Sequence, residues 1–143
     1  MRTLSNKEKK SLIDLIPKGY TVSKKDTIKE EDGILYKNGE VFLLLLNDNY
    51  FPHLKSIPQE SYKSVYVDKG SIPFLIKGAD LMRPGIVEIE DNIEKDEVIL
   101  IKDYEHQKTI ALGISLYNSK ELNNIEKGKV IKVYHYVGDN YYN

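Results

Sequence analysis

Val67-Asp68-Lys69-Gly70-Ser71-Ile72-Pro73-Phe74, followed by Gly78-Ala79-Asp80-Leu81-Met82-Arg83-Pro84-Gly85-Ile86, is the stretch that decides the fold of this chain. Val65-Tyr66-Val67 reads as a short strand entering it. Gly70 to Lys77 can hold one or two helical turns, because Pro73 lies near the start, where its missing N–H breaks no helical hydrogen bond. Gly78 and Gly85 then punctuate the chain. Beyond them, Ile86 to Ile89, Val98 to Ile101, Thr109 to Tyr117 and Val130 to Val137 read as strands, and Ser119 to Asn124 as a short helical turn. Several short strands separated by turn signals predict a small barrel or sandwich.

Upstream the pattern differs. Ser5-Asn6-Lys7-Glu8 has the spacing of a capping box, and Leu12, Ile13, Leu15 and Ile16 supply a helical stripe that Pro17 and Gly19 end. Tyr20 to Lys25 alternates weakly, as a strand would. Ile34 to Lys37 and Val41 to Leu46 flank Asn38-Gly39, a dipeptide suited to the positive φ angles of a tight hairpin. Val41 to Leu46 is apolar at every position, which predicts burial on both faces. Tyr50-Phe51-Pro52 breaks the pattern, and Pro58 to Ser64 reads as a linker. The expected organisation is two domains, 1–62 and 63–143.

The chain has 143 residues, 41% hydrophobic and 30% charged, with a net charge of −1 and no cysteine. Disulfides, thiolate metal sites and cysteine nucleophiles are therefore excluded, as fits a reducing cytoplasm. Met1 to Lys10 lacks the apolar core of a signal peptide, and the longest apolar run is too short to span a membrane. A charge of −1 argues against a general nucleic-acid binder, which would be basic overall. The charge is segregated, however. Residues 1–25 hold Arg2, Lys7, Lys9, Lys10, Lys18, Lys24 and Lys25 against Glu8 and Asp14. Residues 88–97 hold Glu88, Glu90, Asp91, Glu94, Asp96 and Glu97 against Lys95, and residues 127–138 hold Lys127, Lys129 and Lys132 with no acid.

The opening stretch resembles the first strand, short helix and glycine loop of a PUA domain, the module named for pseudouridine synthases and archaeosine transglycosylases. Ala111-Leu112-Gly113-Ile114 resembles that domain's central strand. Gly128-Lys129-Val130 with Tyr134-His135-Tyr136-Val137-Gly138-Asp139 resembles its closing strand. The His-Tyr-x-x-Asp ending is similar to the malignant T-cell-amplified-sequence family of translation proteins and its archaeal relatives. Asn38-Gly39-Glu40 and Tyr50-Phe51-Pro52-His53-Leu54 look like that family's N-terminal pre-PUA domain. The resemblance implies an α+β pre-PUA domain followed by a mostly-β PUA pseudobarrel. It implies a non-catalytic cytoplasmic protein of translation, acting in initiation, reinitiation or recycling. Its expected partners are structured RNA (tRNA, including its 3′ CCA end, or rRNA), the small ribosomal subunit and an initiation-factor-like protein. No cofactor, metal or membrane is expected.

The RNA face implied by the resemblance falls on Lys69, Gly70, Ser71, Lys77, Gly78, Arg83, Pro84, Gly85, Lys129, Lys132, His135 and Tyr136. Cations on both segments would neutralise phosphates if the fold joins them, and the glycines would allow close approach. Tyr134, Tyr136 or Phe74 could stack on an unpaired base. Each has a plainer alternative: turn glycines, solvated lysines, a structural His135, and Phe74 in the core, which is the expected place for a Phe. Asp68 and Asp139 read as turn or cap residues. The N-terminal basic cluster is either a solvated helix face or a second RNA surface. His53, His106 and His135 lack metal-ligand spacing, and no phosphate-cradling glycine motif occurs. Two other classes stay open: an accessory to an RNA-modification enzyme, and a protein–protein adaptor.

Overall fold

The structure, a computed structural model, describes residues 1–142. The chain divides into two compact units, the first ending at Ser61 and the second beginning at Tyr62.

The first unit contains β1 (Arg2–Thr3), α1 (Asn6–Asp14), β2 (Ile28–Glu31), β3 (Ile34–Lys37), β4 (Glu40–Leu46) and β5 (Asn49–Pro52). The five strands form one sheet in chain order, antiparallel throughout. Three two-residue turns build it. Asp32-Gly33, Asn38-Gly39 and Asn47-Asp48 all have positive φ at both positions, the backbone of a type I′ hairpin turn. Of these, the sequence reading identified Asn38-Gly39. It did not identify β2, and it took Tyr50 to Pro52 for a break where β5 pairs with β4. No strand forms at Tyr20 to Lys25. Asp26 instead accepts the Ser23 N–H at 2.8 Å and closes a turn.

The expected capping box is present, with Glu8 N–H donating to Ser5 Oγ at 3.1 Å and Ser5 N–H to Glu8 Oε1 at 3.0 Å. The apolar stripe is narrower than expected, because α1 ends at Asp14 and leaves Leu15 exposed. Leu12 enters the core with Ile28, Leu35 and Leu43. In β4 the middle residues Phe42, Leu43 and Leu44 are buried, while Val41, Leu45 and Leu46 are half-buried. Tyr20 packs edge-on to Phe42, its hydroxyl 2.8 Å from Ser56 Oγ, and burial pushes its pKa up to about 12.

The second unit contains β6 (Ser64–Val67), α2 (Ile72–Leu75), β7 (Leu81–Met82), β8 (Ile86–Ile89), β9 (Val98–Asp103), β10 (Thr109–Ser115), α3 (Ser119–Asn124) and β11 (Lys129–Tyr136). Short 3-10 turns occupy Lys69–Ser71 and Arg83–Gly85. One six-stranded sheet runs β7-β11-β10-β9-β6-β8, curled into a half-barrel. Only β6 and β9 pair in parallel. Val65, Leu75, Leu81, Ile99, Ala111 and Val130 share its core. The chain is thus a mixed α/β fold built mostly of strands. Strand β7 was not expected; two residues are too few for a periodic signal.

Candidate nucleic-acid interface

The site begins where β6 ends. Asp68 caps the following turn, with Oδ1 accepting both the Ser71 N–H (2.9 Å) and the Ser71 hydroxyl (2.8 Å). The turn packs against the next one so closely that a Cβ on Gly85 would lie 2.1 Å from Ser71 Oγ. A side chain at Gly85 would therefore push the Ser71 hydroxyl off Asp68. Gly78 is required by the backbone: at φ +91° it terminates α2, with its N–H donating to Leu75 O (3.0 Å) and the Ala79 N–H to Phe74 O (3.1 Å). Gly70 differs from both. It is exposed, its φ is not positive, and a Cβ there would meet nothing closer than 3.7 Å. Its missing side chain leaves the turn surface open without being demanded by the fold.

Helix α2 is one turn long and can bury only one face. Leu75 is buried and Ile72 packs beside it. Phe74 and Ile76 point outward, Phe74 with 67% of its surface exposed. This corrects the expectation that Phe74 belongs to the core. A cavity of about 380 Å³ lies beside this ring. Gly70, Ser71, Phe74, Met82, Pro84 and Gly85 line it, together with Asp68 and Asp80. Met82, also exposed, was not singled out in the sequence; it belongs to the unanticipated strand β7.

The fold does join the two nominated segments. Met82 pairs with Lys129 and Leu81 with Ile131, and Asp80 Oδ1 accepts the Val133 N–H at 2.9 Å. Lys69, Lys77, Lys129 and Lys132 are all exposed. Of these, Lys129 alone has an ion-pair partner among the described residues, Asp80 Oδ2 at 3.5 Å. That pair is solvated and worth little.

Two expected contacts are corrected. His135 is fully buried. Its Nδ1 lies 2.8 Å from Asp139 Oδ2, which also accepts the Tyr136 N–H (2.9 Å), while Asp139 Oδ1 accepts the Tyr141 N–H (3.0 Å). The His-Tyr-x-x-Asp motif thus fastens the end of β11 to the following turn and cannot present its imidazole to a ligand. Arg83 is turned inward too. Its Nε donates to Leu122 O (2.7 Å) at the end of α3, and Nη1 to Ile86 O (3.1 Å). Leu122 O also accepts the N–H of the C-cap residue Ile125 at 3.4 Å, and the guanidinium adds a second, shorter donor at this helix end. Tyr136 is half-buried with its hydroxyl over Gly78, where a Cβ would lie 3.2 Å from it.

In the first unit, Arg2 is held by Glu8 (2.6 Å) and Glu30 (3.1 Å). The Ser5 N–H, followed by Arg2, keeps the Glu8 carboxyl below the usual carboxylate range. Lys9 Nζ donates to the carbonyls of Lys24 (3.0 Å) and Asp26 (2.7 Å). Lys7, Lys10, Lys24 and Lys25 remain exposed. Among the described residues no His, Asp and Glu cluster is placed to hold a metal, and no helix is long and apolar enough to cross a membrane.

Residues 63–137 match the model of the PUA domain family. The chain belongs to that family. An uncharacterized protein of Methanocaldococcus jannaschii is 40% identical to it, over 90% of this chain and 97% of the relative. Translation machinery-associated protein 20 of Schizosaccharomyces pombe is 36% identical, over 92% of this chain and 76% of its own length. Malignant T-cell-amplified sequence 1-A of Xenopus laevis is 27% identical over 92% of this chain. The resemblance to that family of proteins therefore holds across both units. Among solved structures, a PUA domain of Aeropyrum pernix in complex with tartrate superposes with a TM-score of 0.77 at 26% identity, covering 99% of this chain and 88% of that one. In this PUA domain the Phe74 cavity lies between the first helix and the closing sheet edge.

Proposed function

We propose that this chain is a non-catalytic RNA-binding protein of translation, and that it takes an unpaired RNA end into the Phe74 groove. Membership in the PUA family, with relatives named for the translation machinery, supports a translation-related RNA-binding role. One observation carries the finer reading: a phenylalanine ring held in solvent beside a cavity, with exposed lysines on the segments around it.

The electrostatics assign the parts of the ligand. The groove contains Asp68 and Asp80 and no cation, so a phosphate does not belong inside it. A base does: it stacks on Phe74, and its amino groups or a ribose hydroxyl donate to the carboxylates. Phosphates then run outside, over Lys69, Lys77, Lys129 and Lys132. Open backbone at Gly70 admits the sugar. Such a site fits a single-stranded terminus of a folded RNA, the 3′ CCA end of tRNA foremost.

In this reading the first unit is the pre-PUA domain, and the protein works in the cytoplasm in initiation, reinitiation or recycling. It would bind the small ribosomal subunit, with an initiation-factor-like protein as a further partner. Exposed Lys7, Lys10, Lys24 and Lys25 would supply a second rRNA contact. The test is binding of the full chain to tRNA with an intact CCA end and to the same tRNA with the CCA removed, followed by cosedimentation with small ribosomal subunits. Trimming should weaken binding about tenfold, within the range of one to two lost stacking contacts. Equal binding of both tRNAs would sink the groove assignment. Absence from the subunit fractions, with no tRNA binding, would sink the translation role.

A further inference from the structure

The acidic side of the second unit has a groove of its own. A cavity of about 610 Å³ shares only Asp68 with the Phe74 groove. One wall is the loop after β9, which is tightly fastened. The Tyr104 N–H donates to Val67 O (3.0 Å), the Glu105 N–H to Asp103 Oδ1 (3.0 Å), and the Gln107 side-chain amide to Tyr104 O (2.7 Å). The loop holds the Tyr104 ring edge-on to Tyr66 at 6.4 Å, with 48% of Tyr104 still exposed. Val87, on β8, is 51% exposed and lines the same cavity.

Charge surrounds this apolar floor. Asp68, Glu88 and Glu105 line the cavity against Lys69. Glu88 and Glu105 are exposed and enter no ion pair among the described residues. The acids downstream of β8 lie elsewhere: Asp91 and Glu94 line a separate cavity beside α3. Scattered exposed acids are ordinary. A tyrosine on a fastened loop and a valine, set among three carboxylates and one lysine, are a more specific arrangement.

The complement of this surface is a cation on an apolar stem. A lysine or arginine can lay its methylenes on Val87, place its charge over the Tyr104 ring, and reach Glu88 or Glu105 with its donors. Arginine fits better, because its planar head both stacks and pairs bidentately with a carboxylate. Nucleic acid is the wrong occupant, since its phosphates would face the carboxylates. We infer that the Val87–Tyr104 groove docks an Arg/Lys-rich segment of a partner protein. The Asp68–Ser71 turn borders both grooves, with Asp68 lining each and Lys69 lining this one. The inference does not require the RNA reading to be correct.

The probe is a fluorescein-labelled peptide of alternating Arg, Leu, Lys and Gly, titrated with the full chain; the control has Glu in place of every Arg and Lys. The basic peptide should bind and the control should not. Amide shifts on the unaltered chain should concentrate at Val87, Glu88 and Tyr104 to Gln107. Glu88→Lys combined with Glu105→Lys should weaken binding at least about tenfold, and Tyr104→Ala roughly fivefold, with Tyr104→Phe restoring it. Phe74→Ala should leave peptide binding unchanged. Equal binding of the two peptides, shifts centred elsewhere, or insensitivity to the double charge reversal would overturn the proposal. Shift mapping uses the unaltered chain, so it decides even if Tyr104→Ala fails to fold. Failure of the RNA groove shows separately, as equal binding of intact and trimmed tRNA.

Discussion

Phe74 and His135 occupy opposite ends of the solvent-exposure scale, in the reverse order to their polarity. The apolar ring is 67% exposed and the imidazole is fully buried. Both lie on segments that the family resemblance assigns to the RNA face. The difference lies in the elements that carry them. A one-turn helix gives its inward face to Ile72 and Leu75, which leaves Phe74 no route into the core. Strand β11 buries Val130, Ile131 and His135, and Asp139 supplies the imidazole with a partner there. A distinctive motif can therefore hold the fold together, while the ligand surface is made by a residue that looks like core.

The largest expected effect tests the buried half of this contrast. His135→Ala removes a partner from the Asp139 carboxylate and opens a hole at the end of β11. It should cost about 2–3 kcal/mol of stability in denaturant unfolding. RNA affinity of the folded protein should not change; a loss of affinity at unaltered stability would return His135 to the interface. Phe74→Ala should do the reverse. Affinity for an RNA with an unpaired end should fall by about 1–3 kcal/mol, while stability stays within roughly 0.5 kcal/mol.

Cations sharpen the comparison further. Alanine at Lys69, Lys77, Lys129 or Lys132 should each reduce the salt dependence of RNA binding by about one unit of slope. Arg83→Ala should leave that slope alone and lower stability by about 1–2 kcal/mol, because its donors serve Leu122 O and Ile86 O. The smallest effect concerns pH. The hydrogen bond from His106, followed by that from the Glu105 N–H, holds the Asp103 carboxyl below the usual aspartate value of 3.8. A depressed folded-state pKa stabilises the protein above 3.8, and the contribution disappears as pH falls through the lower folded value. Asp103→Asn should therefore lower stability slightly at neutral pH, flatten the acid limb, and converge on the unaltered protein as pH falls well below 3.8.

Local chemistry was legible wherever a short segment settles its own backbone. The Ser5/Glu8 box, the Asn38-Gly39 hairpin, β8 at Ile86 to Ile89 and α3 at Ser119 to Asn124 all form where their residues predict. Elements without such self-sufficient signals were misread. Asn47-Asp48 makes the same turn as Asn38-Gly39 without the glycine that marks it, so β5 was taken for a break. Tyr20 to Lys25 has a strand's alternation, but Asp26 captures the Ser23 amide first.

By itself the sequence determined the strand-rich second unit, because turn chemistry is a property of neighbouring residues, while its resemblance to the PUA domain supplied the family and the two segments of the candidate interface. Only the tertiary structure decided which side chains on those segments face water. Leu122 and Ile86 draw Arg83 inward, Asp139 draws His135 inward, and a single helical turn turns Phe74 out. Each outcome depends on a partner or a packing limit that spacing along the chain does not encode, and a side chain goes where its donors are satisfied and its volume fits.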